Sequence, residues 1–141
     1  MSDKRILIVA NRTAATPKLI EAVAERAASG PCAFTLLVPR PYWDRDTDEA
    51  AMTLELAIPL LDAAARSHVR GIVGATDPYE AVRDALKRET YEEVIVSTLP
   101  QRISRWLHLD LAHRIARLGV PVSVVTAEQA ERPLAPGDGS S

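Results

Sequence analysis

The chain is poor in several features that would narrow its role. One cysteine, Cys32, stands among 141 residues, so no intrachain disulfide can form. The apolar runs fall far short of the roughly 20 residues that a bilayer-spanning helix needs. Met1–Ala10 lacks the charged, apolar and small-residue order of a secretory leader. These traits lead us to expect a soluble, cytoplasmic protein. Positive charge is not in excess: 17 Lys and Arg face 19 Asp and Glu, a formal charge of -2. Without a basic field nothing holds a phosphate backbone, and we expect neither a nucleic-acid nor a membrane partner. Enzyme signatures are missing too. There is no Gly-x-Ser-x-Gly elbow, no Walker loop, no Gly-x-Gly-x-x-Gly turn and no acidic pair after the first apolar run. We expect no catalysis.

What is present alternates strand with helix. Ile6–Ala10 is an unbroken apolar run, the mark of a central strand covered on both faces. Thr16-Pro17 opens a helix whose stripe is Leu19, Ile20, Val23, Ala24 and Ala27, and Gly30-Pro31 ends it. Phe34–Val38 reads as the second strand. The acidic segment Asp44–Glu49 leads into a long helix with Leu54, Ala57, Ile58, Leu61, Ala64 and Ala65 as its stripe; Pro59 predicts a kink or break there. Val69–Val73 is the third strand. Asp77-Pro78 is the clearest helix start, with Asp77 as cap, Pro78 in the first turn and Glu80 at the positive end of the helix. Ala81, Val82, Ala85 and Leu86 form its core stripe. Val94–Val96, a helix marked by Leu111, Ile115 and Leu118 that stops at Gly119, and a strand at Pro121–Val125 complete a domain spanning 1–126. Residues 127–141, with Pro, Gly and Ser but no periodicity, read as a flexible tail. The expected fold is α/β: a doubly wound, five-stranded parallel sheet in three layers, order 3-2-1-4-5. Ligands bind such sheets beyond the carboxyl ends of the strands. That directs attention to Asn11–Thr16, Pro39–Asp48, Gly74–Pro78 and Ser97–Asp110.

Three segments carry a resemblance. Ile6-Leu7-Ile8-Val9-Ala10 with a Ser/Thr-bearing loop, Gly74-Ala75-Thr76-Asp77-Pro78-Tyr79-Glu80-Ala81-Val82, and Glu93-Val94-Ile95-Val96 through Pro121-Val122-Ser123-Val124-Val125 resemble, in order and spacing, the universal stress protein family. The similarity covers about Arg5–Thr126. It implies a nucleotide-binding α/β fold, a stress-response role and a homodimer. The chain departs from the family at the phosphate loop. ATP-binding members carry Gly-x-x-Gly-x9-Gly-[Ser/Thr] after the fourth strand, where glycine lets main-chain N–H groups reach phosphate. Here Ser97–Asp110 has no glycine, Pro100 removes a donor, and Asp110 stands near the family's phosphate-contacting Ser/Thr. Asn11 replaces the family's acidic residue after the first strand. ATP binding in the family's manner is not expected.

The candidate residues each have a plain alternative. Arg102 and Arg105, with Ser104, suit phosphate oxygens through guanidinium forks, or are solvated surface. Asn11, Arg12 and Thr13 precede a helix start, which attracts anions, yet turn formation also explains them. Ser97 and Thr98 border the same crevice. Tyr42, Trp43, Tyr79 and Trp106, four of six aromatics, are expected in loops at the carboxyl ends of the strands, as a stacking or partner surface or as filling between loops. His108, Asp110 and His113 lack the spacing of a metal site, and no metal is expected. Cys32 reads as a buried structural cysteine. Pro121–Val125 becomes an edge strand in the family's sheet order, so Val122 and Val124 are candidate dimer contacts. The leading expectation is a non-catalytic regulatory or binding module without cofactor. Its alternative is a binder of ATP, another adenine nucleotide or a phosphate ligand through a rebuilt Arg-containing loop.

Overall fold

The unbroken apolar run near the N-terminus owes its composition to its position in the sheet. In the computed structural model, which describes residues 3–10, 14–40, 48–98 and 111–126, it forms β1 (Lys4–Val9). Then follow α1 (Pro17–Ser29), β2 (Cys32–Pro39), α2 (Asp48–Ala65), β3 (Arg70–Gly74), α3 (Pro78–Arg88), β4 (Glu93–Thr98) and β5 (Val122–Thr126). Residues 111–116 are helical. The sheet order is β3-β2-β1-β4-β5 with every pair parallel, as the alternation of elements predicts.

Side chains of β1 alternate between two cores. Ile6 and Ile8 pack with Leu36, Val38, Ile95, Leu19, Val23, Ala57 and Leu61 on the face covered by α1 and α2. Leu7 and Val9 pack with Leu37, Val94, Val96, Val82, Leu111 and Ile115 on the face covered by α3 and the last helix. A strand sandwiched in this way has no wet face, and so has no polar alternation.

The boundaries moved where charge obscured them. β1 begins two residues early because Lys4 and Arg5 pair their backbones with Cys32 and Ala33 while their side chains reach solvent. β4 starts at Glu93, a buried acid that an apolar-run reading passes over. Cys32 is the first residue of β2 and only half-buried; burial pushes its thiol pKa up, which keeps it protonated. α2 runs through Pro59 without a break. It ends at Ala65, and the next residue, Arg66, has a φ of 59°, which places a non-glycine residue in the left-handed region. Gly119, at φ 96°, closes the last helical segment as expected. No described helix is long and apolar enough to cross a membrane.

Candidate functional site

The winding reverses between β1 and β4, since β2 and β3 extend the sheet from one side of β1 and β5 extends it beyond β4. β1 ends level with Val96 while β4 runs on to Thr98: Val9 pairs with Val96, so Ala10 and Ser97 follow side by side. Ala10, Ala14 and Ser97 are all buried, the two alanines within the first core. Ala10 N–H donates to the Leu37 carbonyl at 3.2 Å, which ties the end of β1 to β2.

The rim of this end of the sheet is best defined beside β3. Asp77 caps α3 by accepting from the Tyr79 N–H at 3.0 Å, with Pro78 in the first turn. Glu80 receives Arg83 at 2.6 Å. Gly74 is required by contact: a Cβ there would meet the Ala81 Cβ at 2.7 Å and Leu37 Cδ1 at 2.8 Å. The Gly-x-x-Asp-Pro turn therefore lets α3 sit close on the sheet. Thr16 takes the N-cap position of α1, but its side chain does not make the capping bond.

Of the sequence candidates, Ser97 is buried within β4 and pairs its backbone with Val125, and Thr98 pairs with Thr126. Tyr79 stands in the first turn of α3 rather than in a loop. It packs against the second core, with the Arg114 guanidinium 4.0 Å from its ring centre and that of Arg83 at 5.9 Å. Asn11, Arg12, Thr13, Tyr42, Trp43, Arg102, Ser104, Arg105 and Trp106 lie outside the described residues, as do His108, Asp110 and the proposed tail. Among the described residues no group of three His, Cys, Asp or Glu is placed to hold a metal. Val122 packs partly against the second core, and Val124 is 41% exposed on β5, which is an edge strand of the sheet.

Reading by motif did not single out Arg40 or Arg83. Arg40 continues the ladder past β2 by donating its N–H to the Gly74 carbonyl at 3.2 Å. Its Nε and that of Arg83 are buried, with no hydrogen-bond partner among the described residues. An Arg just after a strand's last apolar residue, and another one turn past a Tyr at a helix start, are the signals available in sequence.

Among the described residues, the strongest electrostatics lie at the opposite, amino end of the sheet. Glu93 is only 7% exposed. It accepts from Arg26 Nη2 at 2.8 Å and Nε at 3.2 Å, and from Ser123 Oγ at 2.8 Å, with Lys4 Nζ at 3.4 Å. The Arg26 hydrogen bonds, outweighing the opposing cost of burial and aided by Ser123, hold its pKa down to about 2. Glu89 is held low by the Arg70 hydrogen bond at 2.8 Å, with Arg5 at 3.7 Å and the Tyr91 hydroxyl at 3.5 Å. These groups tie α1, α3 and four strands together.

Comparison with known proteins bears on the fold. No family model matches the chain, and no curated protein matches it. Solved structures do. A universal stress protein in complex with cAMP superposes with a TM-score of 0.65 at 16% identity, covering 91% of this chain and 100% of that one. The universal stress protein of Archaeoglobus fulgidus in complex with dAMP gives 0.59 at 12% identity, over 90% and 98% of the two chains. A universal stress protein family member from Arabidopsis thaliana with AMP bound gives 0.57 at 11% identity, over 95% and 98%. At such identities the likeness is one of fold. The chain has the universal stress protein fold.

Proposed function

We propose that this chain is a non-catalytic binding module of the universal stress protein kind, acting in regulation as a homodimer. It does not hold ATP on a glycine-rich loop. The observation that carries this reading is the crevice between the carboxyl ends of β1 and β4, which in this fold class receives ligands. It is followed here by a sequence from Ser97 to Asp110 without glycine and with Pro100. Main-chain N–H groups that cradle a polyphosphate need close approach, which side chains obstruct. Pairing through β5 is supported by the edge position of that strand and the exposure of Val124.

A second reading is favoured by the company the fold keeps: the similar structures named above contain cAMP, dAMP and AMP, each with a single phosphate. A monophosphate asks for fewer donors than ATP. Side chains of Arg12, Thr13, Arg102, Ser104 and Arg105 are the candidates to supply them. Isothermal titration with ATP, AMP and cAMP separates the readings. Micromolar affinity for ATP overturns the first. Binding of AMP or cAMP that Arg105→Ala weakens by about 1–3 kcal/mol establishes the second. Sedimentation of a concentrated sample as a monomer removes the dimer.

A further inference from the structure

The outward side of α2 is apolar where a surface helix is ordinarily charged. Met52, Leu56 and Leu60, four residues apart, are 60%, 69% and 47% exposed. Pro59 lies between the last two and Ala63 one turn beyond Pro59, both exposed. At 3.6 residues per turn these five side chains share a sector of roughly 100°. The opposite side already serves the first core through Ala50, Ala57, Leu61 and Ala65, so the helix is apolar almost all round yet covered on one side only. Beside the ridge run Glu55, which is exposed, and Asp62, which is half-buried, seven residues apart. Every charged residue of α2 is acidic: Asp48, Glu49, Glu55 and Asp62. Pro59 adds another acceptor. Having no N–H, it deprives the Glu55 carbonyl one turn back of its usual helical donor. The ridge is thus bordered by a carboxylate and a bared carbonyl on the same residue.

This arrangement points to a helix as occupant and discriminates among helices. Apolar residues in rows of four interdigitate with the same rows of another helix. In a second copy of α2, antiparallel pairing sets the acidic flank against its own kind. Parallel pairing lays Glu55 against Leu60. Neither gives the carboxylate a donor, and burying it without one is costly. We propose that the Met52–Leu56–Leu60 ridge docks an amphipathic helix of another protein, one with an apolar stripe flanked by Lys or Arg. The stripe covers the ridge while a basic side chain reaches Glu55.

The test uses the full chain and two designed helical probes of roughly 20 residues, identical in their leucine stripe but flanked by lysine in one and glutamate in the other. Fluorescence anisotropy is expected to show binding of the lysine probe about tenfold or more tighter than the glutamate probe, a gap that narrows in high salt. Leu56→Glu abolishes binding while the circular dichroism melt is unchanged, since the side chain is exposed. Glu55→Lys shifts preference toward the glutamate probe. No binding of the lysine probe, equal binding of both, or a homodimer that Leu56→Glu dissolves overturns the proposal.

Discussion

The two ends of the sheet are built on different physics. At the amino end, charges are paired and partly buried: Glu93 with Arg26, Ser123 and Lys4, and Glu89 with Arg70, Arg5 and Tyr91. At the carboxyl end, the described residues meet through small side chains and a helix cap: Ala10, Ala14, Gly74 and Asp77. Among the described residues, every group with a resolved pKa shift, namely Arg26, Cys32, Arg70, Glu89 and Glu93, stands at the amino end. Perturbed titration is often used to find active sites, but ion-pair networks perturb it as well. Here it marks the place where the chain is fastened. The described residues of the carboxyl end show no such shift.

The comparison makes graded predictions. Arg26→Met removes the main partner of a nearly buried carboxylate and should lower stability by about 3 kcal/mol, read by urea denaturation. Arg83→Met, which breaks an exposed pair at the other end, should cost about 1 kcal/mol or less. Equal costs would break the contrast. Acid gives a related measurement. Glu93 is held at about 2 against an ordinary 4.5, so the unfolded chain takes up its proton first as pH falls. Its contribution is complete above about pH 4.5 and is lost as pH falls toward 2, on the order of 3 kcal/mol in all. Glu93→Gln should flatten that part of the stability–pH curve; an unchanged slope would detach the acid response from this residue.

At the carboxyl end, Gly74→Ala forces a methyl group against Ala81 and Leu37 and should cost about 1–3 kcal/mol in thermal unfolding. The smallest effect is expected for Asp77→Ala, about 1 kcal/mol, from loss of the cap on the Tyr79 N–H. An Asp77→Ala loss as large as that of Arg26→Met would show that the carboxyl end is fastened as tightly as the other.

The run Ile6–Val9 and the Asp77-Pro78 start were legible because each is local: one reports burial on both faces, the other satisfies N–H groups within a few residues. The position of Ser97 was legible for a related reason, since strand order alone sends it to the point where the winding reverses. The Glu93 network was not legible. Arg26 lies 67 residues before it and Ser123 lies 30 after, and no spacing rule joins them. Tyr79 was legible as an aromatic at the carboxyl end of the sheet, but not as a ring packed beneath Arg114.

In α2 the division is plainest. Residue spacing was enough to pick Leu54, Ala57, Ile58, Leu61, Ala64 and Ala65 as a stripe, because an amphipathic period is written into one helix. It could not say that Met52, Leu56 and Leu60 stay in water, because they are as apolar as the stripe itself. Composition and period dictated which elements form and in what layers. Which apolar side is covered, and which charge meets which, depended on the approach of segments far apart in the chain, and only packing in three dimensions decides that.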